Sequence, residues 1–190
     1  MAPNQLASWL LSLMVSSVPP GQSNFPDEAR ESAEQGRIRY AEIADALAQV
    51  SLDPAEKPVF DGKLGRERTA ALLLALAYHE SGLRRDVDLG LGRHARGAGR
   101  YWCLMQVAIA KERTADGWTG AALIASRERC FRAGLHILQR SRGACRKQGP
   151  DAWLRLYTSG HCERGRESAD KRLGTLRRWL RVRPPPAPTE

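Results

Sequence analysis

Ala70-Ala71-Leu72-Leu73-Leu74-Ala75-Leu76-Ala77-Tyr78-His79-Glu80-Ser81-Gly82 is the stretch on which the fold turns. Ala and Leu are the strongest helix formers, and the run predicts a helix over Arg66 to Ser81. From Ala70 to Ala77 this helix is apolar almost all round, so it must be buried on most sides at the centre of a helical domain. Gly82 fits the left-handed position that commonly ends a helix. Glu80 then stands as a single carboxylate at the end of a buried rod. An unpaired carboxylate in apolar surroundings costs several kcal/mol or takes up a proton. A proton held near neutral pH is what a general acid needs. The plainer reading is a helix end that reaches water at Glu80.

Upstream, Pro3 to Val18 carries Gln5, Ser8, Ser12 and Ser16 as one polar stripe, with Leu6, Trp9, Leu10, Leu13 and Met14 around the rest. It has no Lys or Arg before the apolar residues and no small-residue cleavage pattern. It reads as a helix of the folded domain rather than an export signal, ended by Val18-Pro19-Pro20-Gly21. Gly21 to Arg37 reads as a polar surface loop. Ile43, Leu47 and Val50 predict a helix over Tyr40 to Val50, and Asp53 to Gly65 a loop.

Downstream, Gly82 to Arg100 contains Gly90, Gly92, Gly97 and Gly99 with five arginines, a composition for a loop or short hairpin. Such a segment could wall a cleft or simply vary on the surface. Thr119 offers an N-cap for a helix from Gly120 to about Arg146, with breaks possible at Ser126 to Arg129 or at Gly134. Gly149-Pro150-Asp151 starts a short helix. Glu163 to Val182 reads as a basic helix carrying Leu173, Leu176, Trp179 and Leu180, and residues 184–190 as a disordered Pro-rich tail. The expectation is one mainly α domain over residues 1–183.

At 42% hydrophobic and 27% charged residues, the chain belongs with soluble globular proteins. No apolar run reaches the ~20 residues of a membrane span. The net charge of +9 suits any polyanion without choosing among them. No helix-turn-helix pattern or array of stacking aromatics points to nucleic acid. Cys103, Cys130, Cys145 and Cys162 contain no C-x-x-C pair, which argues against zinc. Disulfides would suit an extracytoplasmic location, and free buried thiols are the alternative. If Cys130 and Cys145 share a helix they stand ~22 Å apart and cannot bond to each other. That leaves 103–130 with 145–162, or 103–145 with 130–162. Nothing in the sequence points to a metal or organic cofactor.

Glu80-Ser81-Gly82, then Leu104-Met105-Gln106, then Leu156-Tyr157-Thr158-Ser159-Gly160 follow one another at wide spacing. Before the third piece, Phe131 to Leu138 forms a helical segment. In order and spacing these pieces resemble the soluble-type lytic transglycosylase and goose-type lysozyme superfamily, whose pattern is E-S-G, G-L-M-Q and A-Y-N-x-G. The resemblance covers residues 66–161. It departs from the pattern at Cys103, where the family has glycine, at Thr158, where it has asparagine, and in a longer loop between Glu80 and Gln106. These departures bear on sugar subsites and specificity more than on reaction class.

The resemblance implies a lysozyme-like helical lobe that cleaves peptidoglycan. Glu80 would serve as acid and then base. The muramic acid's own C6 hydroxyl would attack, leaving a 1,6-anhydro product and consuming no water. Ser81, Met105, Gln106 and Tyr157 would line the cleft. Read singly, Met105 is equally a core filler, Gln106 a surface amide and Tyr157 a helix-end aromatic. A hydrolase would need a second carboxylate; Asp86 and Asp88 are the candidates, although solvated loop acids paired with Arg84 or Arg85 are the plainer reading. The expected partner is the peptidoglycan glycan strand, and the expected workplace the periplasm or cell wall. Likeness to phage- or prophage-encoded wall-degrading proteins implies delivery in a virion or after a holin. A non-catalytic virion or wall-binding module on the same scaffold is the rival class.

Overall fold

The computed structural model describes residues 2–22, 30–91, 99–109 and 112–186. Among them run α1 (Pro3–Ser17), α2 (Ala33–Leu52), α3 (Gly65–Ser81), α4 (Arg85–Asp88), β1 (Tyr101–Trp102), β2 (Val107–Ala108), α5 (Gly120–Ile124), α6 (Arg127–Ala144), α7 (Ala152–Ser159) and α8 (Arg166–Val182). The chain is mainly helical, with β1 and β2 pairing antiparallel as a two-residue ribbon.

Helix α3 is the axis. Every residue from Ala70 to Ala77 has zero exposure, because α1, α2, α6 and α8 all pack against it. Full burial stabilises each of Leu72, Leu73, Leu74 and Leu76 by about 1.5–3 kcal/mol relative to exposure. Gly82 ends the helix at φ +62, its N–H bonded to the Tyr78 carbonyl. A side chain would be strained there, which is why the stop is glycine.

Helix α1 packs on α2 with Leu6, Leu10, Leu13 and Met14 buried. Trp9 Nε1 donates to the Arg183 carbonyl at 2.9 Å, tying α1 to the end of α8. Helix α2 starts seven residues earlier than its apolar spacing predicts. Ser32 and Gln35 form a reciprocal capping box, and that polar first turn belongs to the helix. The predicted helix over Gly120 to Arg146 is two helices. Its break falls at Ala125 and Ser126, and Ser126 Oγ caps α6 by accepting from the Arg129 N–H. Thr119 caps α5 as expected. The final helix begins at Arg166, after Gly165 at φ +74.

The cysteines pair as Cys103–Cys130 and Cys145–Cys162, the first of the two arrangements. Cys130 and Cys145 stand at the two ends of α6, so one helix is fastened on one side to the 103–106 turn and on the other to the segment before α8. Residues 23–29, 92–98 and 187–190 lie outside the described residues. They include part of the Gly/Arg-rich stretch and most of the Pro-rich tail.

Candidate active site

Glu80 occupies the last turn of α3 and is about a fifth exposed. It is not an unpaired carboxylate. Arg172 of α8 sends Nη2 to Glu80 Oε1 at 2.7 Å and Nε to the same oxygen at 3.2 Å. The guanidinium is itself fixed, because its Nη1 donates to the carbonyl and the hydroxyl of Ser168 one turn earlier. Both contacts converge on Oε1. Among the described residues, no donor is recorded for Oε2. The carboxyl is therefore oriented by one oxygen and open at the other.

Tyr157, on α7, donates its hydroxyl to the Met105 carbonyl at 2.9 Å. Burial pushes its phenol well above the usual tyrosine range, the negative charge of Glu80 pushes it further, and Arg172 opposes. The hydroxyl is thus a permanent donor, within the electrostatic reach of Glu80. Segments about 25 and 50 residues apart in the chain meet here: the end of α3, the 103–106 turn, and α7.

The backbone around this point is unusual. Leu83, Cys103 and Gln106 all have positive φ, at +55, +57 and +46, and these are the non-glycine residues so placed among the described ones. Left-handed conformations cost a side-chain-bearing residue about 1–2 kcal/mol, and they concentrate at functional sites. Cys103 is the position where the lytic transglycosylase pattern carries glycine. At φ +57 this is a position that glycine fills without strain. Here a cysteine bonded to Cys130 occupies it.

The other expected site residues do different work. Ser81 is buried; its Oγ donates to the Ala77 carbonyl and accepts from the Leu83 N–H, which shapes the exit from α3. The Met105 side chain is core and packs on Gly134, where any Cβ would collide with it. Its contribution to the site is its carbonyl. Gln106 turns its Nε2 back onto the Cys103 carbonyl at 3.0 Å, closing the turn; it is half-buried and no partner for its Oε1 is recorded among the described residues.

Asp86 and Asp88 are not loop acids facing a cleft. They lie in α4 and are buried. Asp86 takes Arg84 Nε and Nη2 at 2.9 and 2.6 Å, so the partner is one the plainer reading named, but the acid is buried in a helix rather than solvated in a loop. Asp88 is gripped instead by Arg127 of α6, at 2.9 and 2.8 Å, with Arg39 of α2 at 3.7 Å. These bridges fasten α4 to α2 and α6. Charges so far from water are held only because each has a hydrogen-bonded partner.

His79 makes its hydrogen bond with Thr175 Oγ1 of α8, at 2.9 Å, rather than with Glu80 or Tyr157. The residue that sequence reasoning missed is Arg172. A residue 92 positions from Glu80 gives no signal of its own; the one local hint is Ser168, four residues earlier and so on the same helix face.

No group of three or more His, Cys, Asp or Glu side chains among the described residues is arranged to hold a metal. No described helix is long and apolar enough to cross a membrane. No protein-family model, curated protein or solved structure matches this chain.

Proposed function

We propose that the chain is a peptidoglycan-cleaving enzyme of the lytic transglycosylase type, a lysozyme-like lobe that acts on glycan strands in the periplasm or cell wall, with delivery by a phage or virion as the resemblance implies. The observation that carries this reading is the convergence of Glu80, Tyr157 and the Met105 carbonyl, with one Glu80 oxygen held by Arg172 and the other open.

Glycosidic cleavage needs a proton on the leaving oxygen and support for an oxocarbenium-like centre. Glu80 Oε2 would deliver the proton. Arg172, across Oε1, would then steady the carboxylate left behind. That carboxylate would accept the proton of the C6 hydroxyl as this oxygen closes onto C1. Tyr157, its hydroxyl a fixed donor to a backbone carbonyl, would shape the wall opposite. A single cycling carboxylate suits the site better than hydrolysis, since Asp86 and Asp88 are both bound to arginine and buried.

The Arg172 ion pair also favours a second reading. A glutamate locked to arginine, with the Ser81 hydroxyl and the Gln106 Nε2 both turned onto backbone carbonyls, suits a module that binds the wall without cutting it. Digestion of purified peptidoglycan by the wild type and by Glu80→Gln, with products read by mass spectrometry, separates the two. Anhydromuramyl products that fall by at least about a hundredfold in the variant support the transglycosylase. Reducing-end products would mean a hydrolase. Wall binding with no cleavage by either protein would leave the binding module.

A further inference from the structure

The charge of this chain is not spread evenly. Residues 127–186 hold sixteen Lys and Arg against five Asp and Glu, whereas residues 1–126 hold fourteen against fifteen. Much of the excess in the first part of that segment is spent on ion pairs: Arg127, Arg132 and Arg142 each reach carboxylates of the N-terminal half. The end of α8 is different. Arg177, Arg178, Arg181 and Arg183 are all exposed. Arg177 has Asp151 only at 3.8 Å, and no ion pair is recorded for the other three among the described residues. Cations in a last turn complement the helix dipole. That accounts for Arg181 but not for four arginines in seven residues.

Two of these arginines, Arg178 and Arg183, border a groove of about 410 Å³ between the end of α1, Tyr78 of α3 and α8. Leu13, Tyr78 and Trp179 line it with Ser16 and Ser17, whose hydroxyls donate to the Leu13 carbonyl, and Arg178 and Arg183 complete the lining. The polar atom of Trp179 is already used, as its Nε1 donates to Ser17 Oγ at 3.1 Å, so the ring offers the groove only carbon. Val182 also borders the groove. At 70% it is the most exposed large hydrophobic side chain among the described residues, and it stands between Arg181 and Arg183.

We infer that the end of α8, with the groove it borders, is a docking surface for an anionic lipid bilayer. Phosphate headgroups meet Arg178, Arg181 and Arg183, Val182 enters the boundary between headgroups and acyl chains, and the groove takes apolar chain carbons. Interfacial helices combine cations with an apolar wedge in this way, and surface arginines add to the attraction individually. A soluble polyanion would use the arginines but would leave Val182 and the groove without a role.

The test is co-sedimentation of the full chain with vesicles of phosphatidylcholine, with and without phosphatidylglycerol. Binding is expected to the anionic vesicles and to weaken with salt. The pair Arg178→Ala/Arg181→Ala should lower the partition coefficient about thirtyfold. Val182→Asp should lower it about tenfold. The pair Arg129→Ala/Arg164→Ala, which removes the same charge from other exposed sites, should stay within about twofold of wild type. Equal losses in the two arginine pairs would overturn the inference, because net charge alone would then explain the binding. An unchanged Val182→Asp would overturn it too, and displacement by polyphosphate would then mark a patch for soluble polyanions.

Discussion

If Arg172 holds Glu80 in solution, the two residues must be energetically coupled, and a double-mutant cycle measures that coupling. The side chains are 11% and 21% exposed, and the contact is two donors on one oxygen at 2.7 and 3.2 Å. Breaking a fully buried pair from one side costs about 3–5 kcal/mol, while an exposed pair is worth about 0–1 kcal/mol. Arg172→Met leaves a mostly buried carboxylate alone and falls between these limits, at about 2–3 kcal/mol. Glu80→Gln keeps an acceptor oxygen, and Arg172 keeps Ser168, so that change costs about 1 kcal/mol. The double variant has no stranded charge. It should cost about 1.5 kcal/mol less than the sum of the two single changes. Urea unfolding gives each term, provided the slope with denaturant is the same for all four proteins. Additivity to within ~0.5 kcal/mol would refute the reasoning, since independent sites add to that precision. It would mean that Glu80 is not held by Arg172.

Two further outcomes follow from the backbone and from burial. Removing the Cys103–Cys130 bridge, with a loop of 27 residues, should cost roughly 3.5 kcal/mol; Cys103→Gly/Cys130→Ser should be more stable than Cys103→Ala/Cys130→Ser by about 1 kcal/mol, because residue 103 sits at φ +57. Equal thermal midpoints for the two variants would deny that glycine suits this position. Burial, and then the cations Arg172, Arg178 and Lys171, hold the His79 imidazole below its ordinary range. The folded chain keeps His79 neutral where the unfolded chain binds a proton. Its contribution to stability is complete above about pH 6.5 and is lost as pH falls through the folded value. His79→Gln should flatten that part of the stability curve, and an unchanged curve would count against the assignment.

The sequence by itself determined the axis of this protein. Eight consecutive apolar residues from Ala70 to Ala77 can be satisfied only by burial on every side, and a glycine directly after Ser81 stops the helix at one place. Glu80 is therefore set at a helix end by its neighbours in the chain alone. The even cysteine count and the helical distance between Cys130 and Cys145 narrowed the bridges to two arrangements. These are local properties, set by neighbours in the chain. The start of α2 was also local and legible in principle, since Ser32 and Gln35 carry its capping signal; apolar spacing alone overlooked it.

Tertiary structure decided what the charges do. Whether Glu80 stands alone or paired depends on Arg172, 92 residues away, brought in by the packing of α8 on α3. Whether Asp88 faces a ligand or an arginine depends on where the first residue of α6, Arg127, comes to lie. The choice between the two disulfide arrangements depended on the same packing, since only folding sets the 103–106 turn beside Cys130. The physical reason is one of range. Helix formation and its stops are settled within a turn or two of backbone, whereas a buried charge is settled by whichever partner the fold carries to it, and that partner leaves no periodic mark in the sequence.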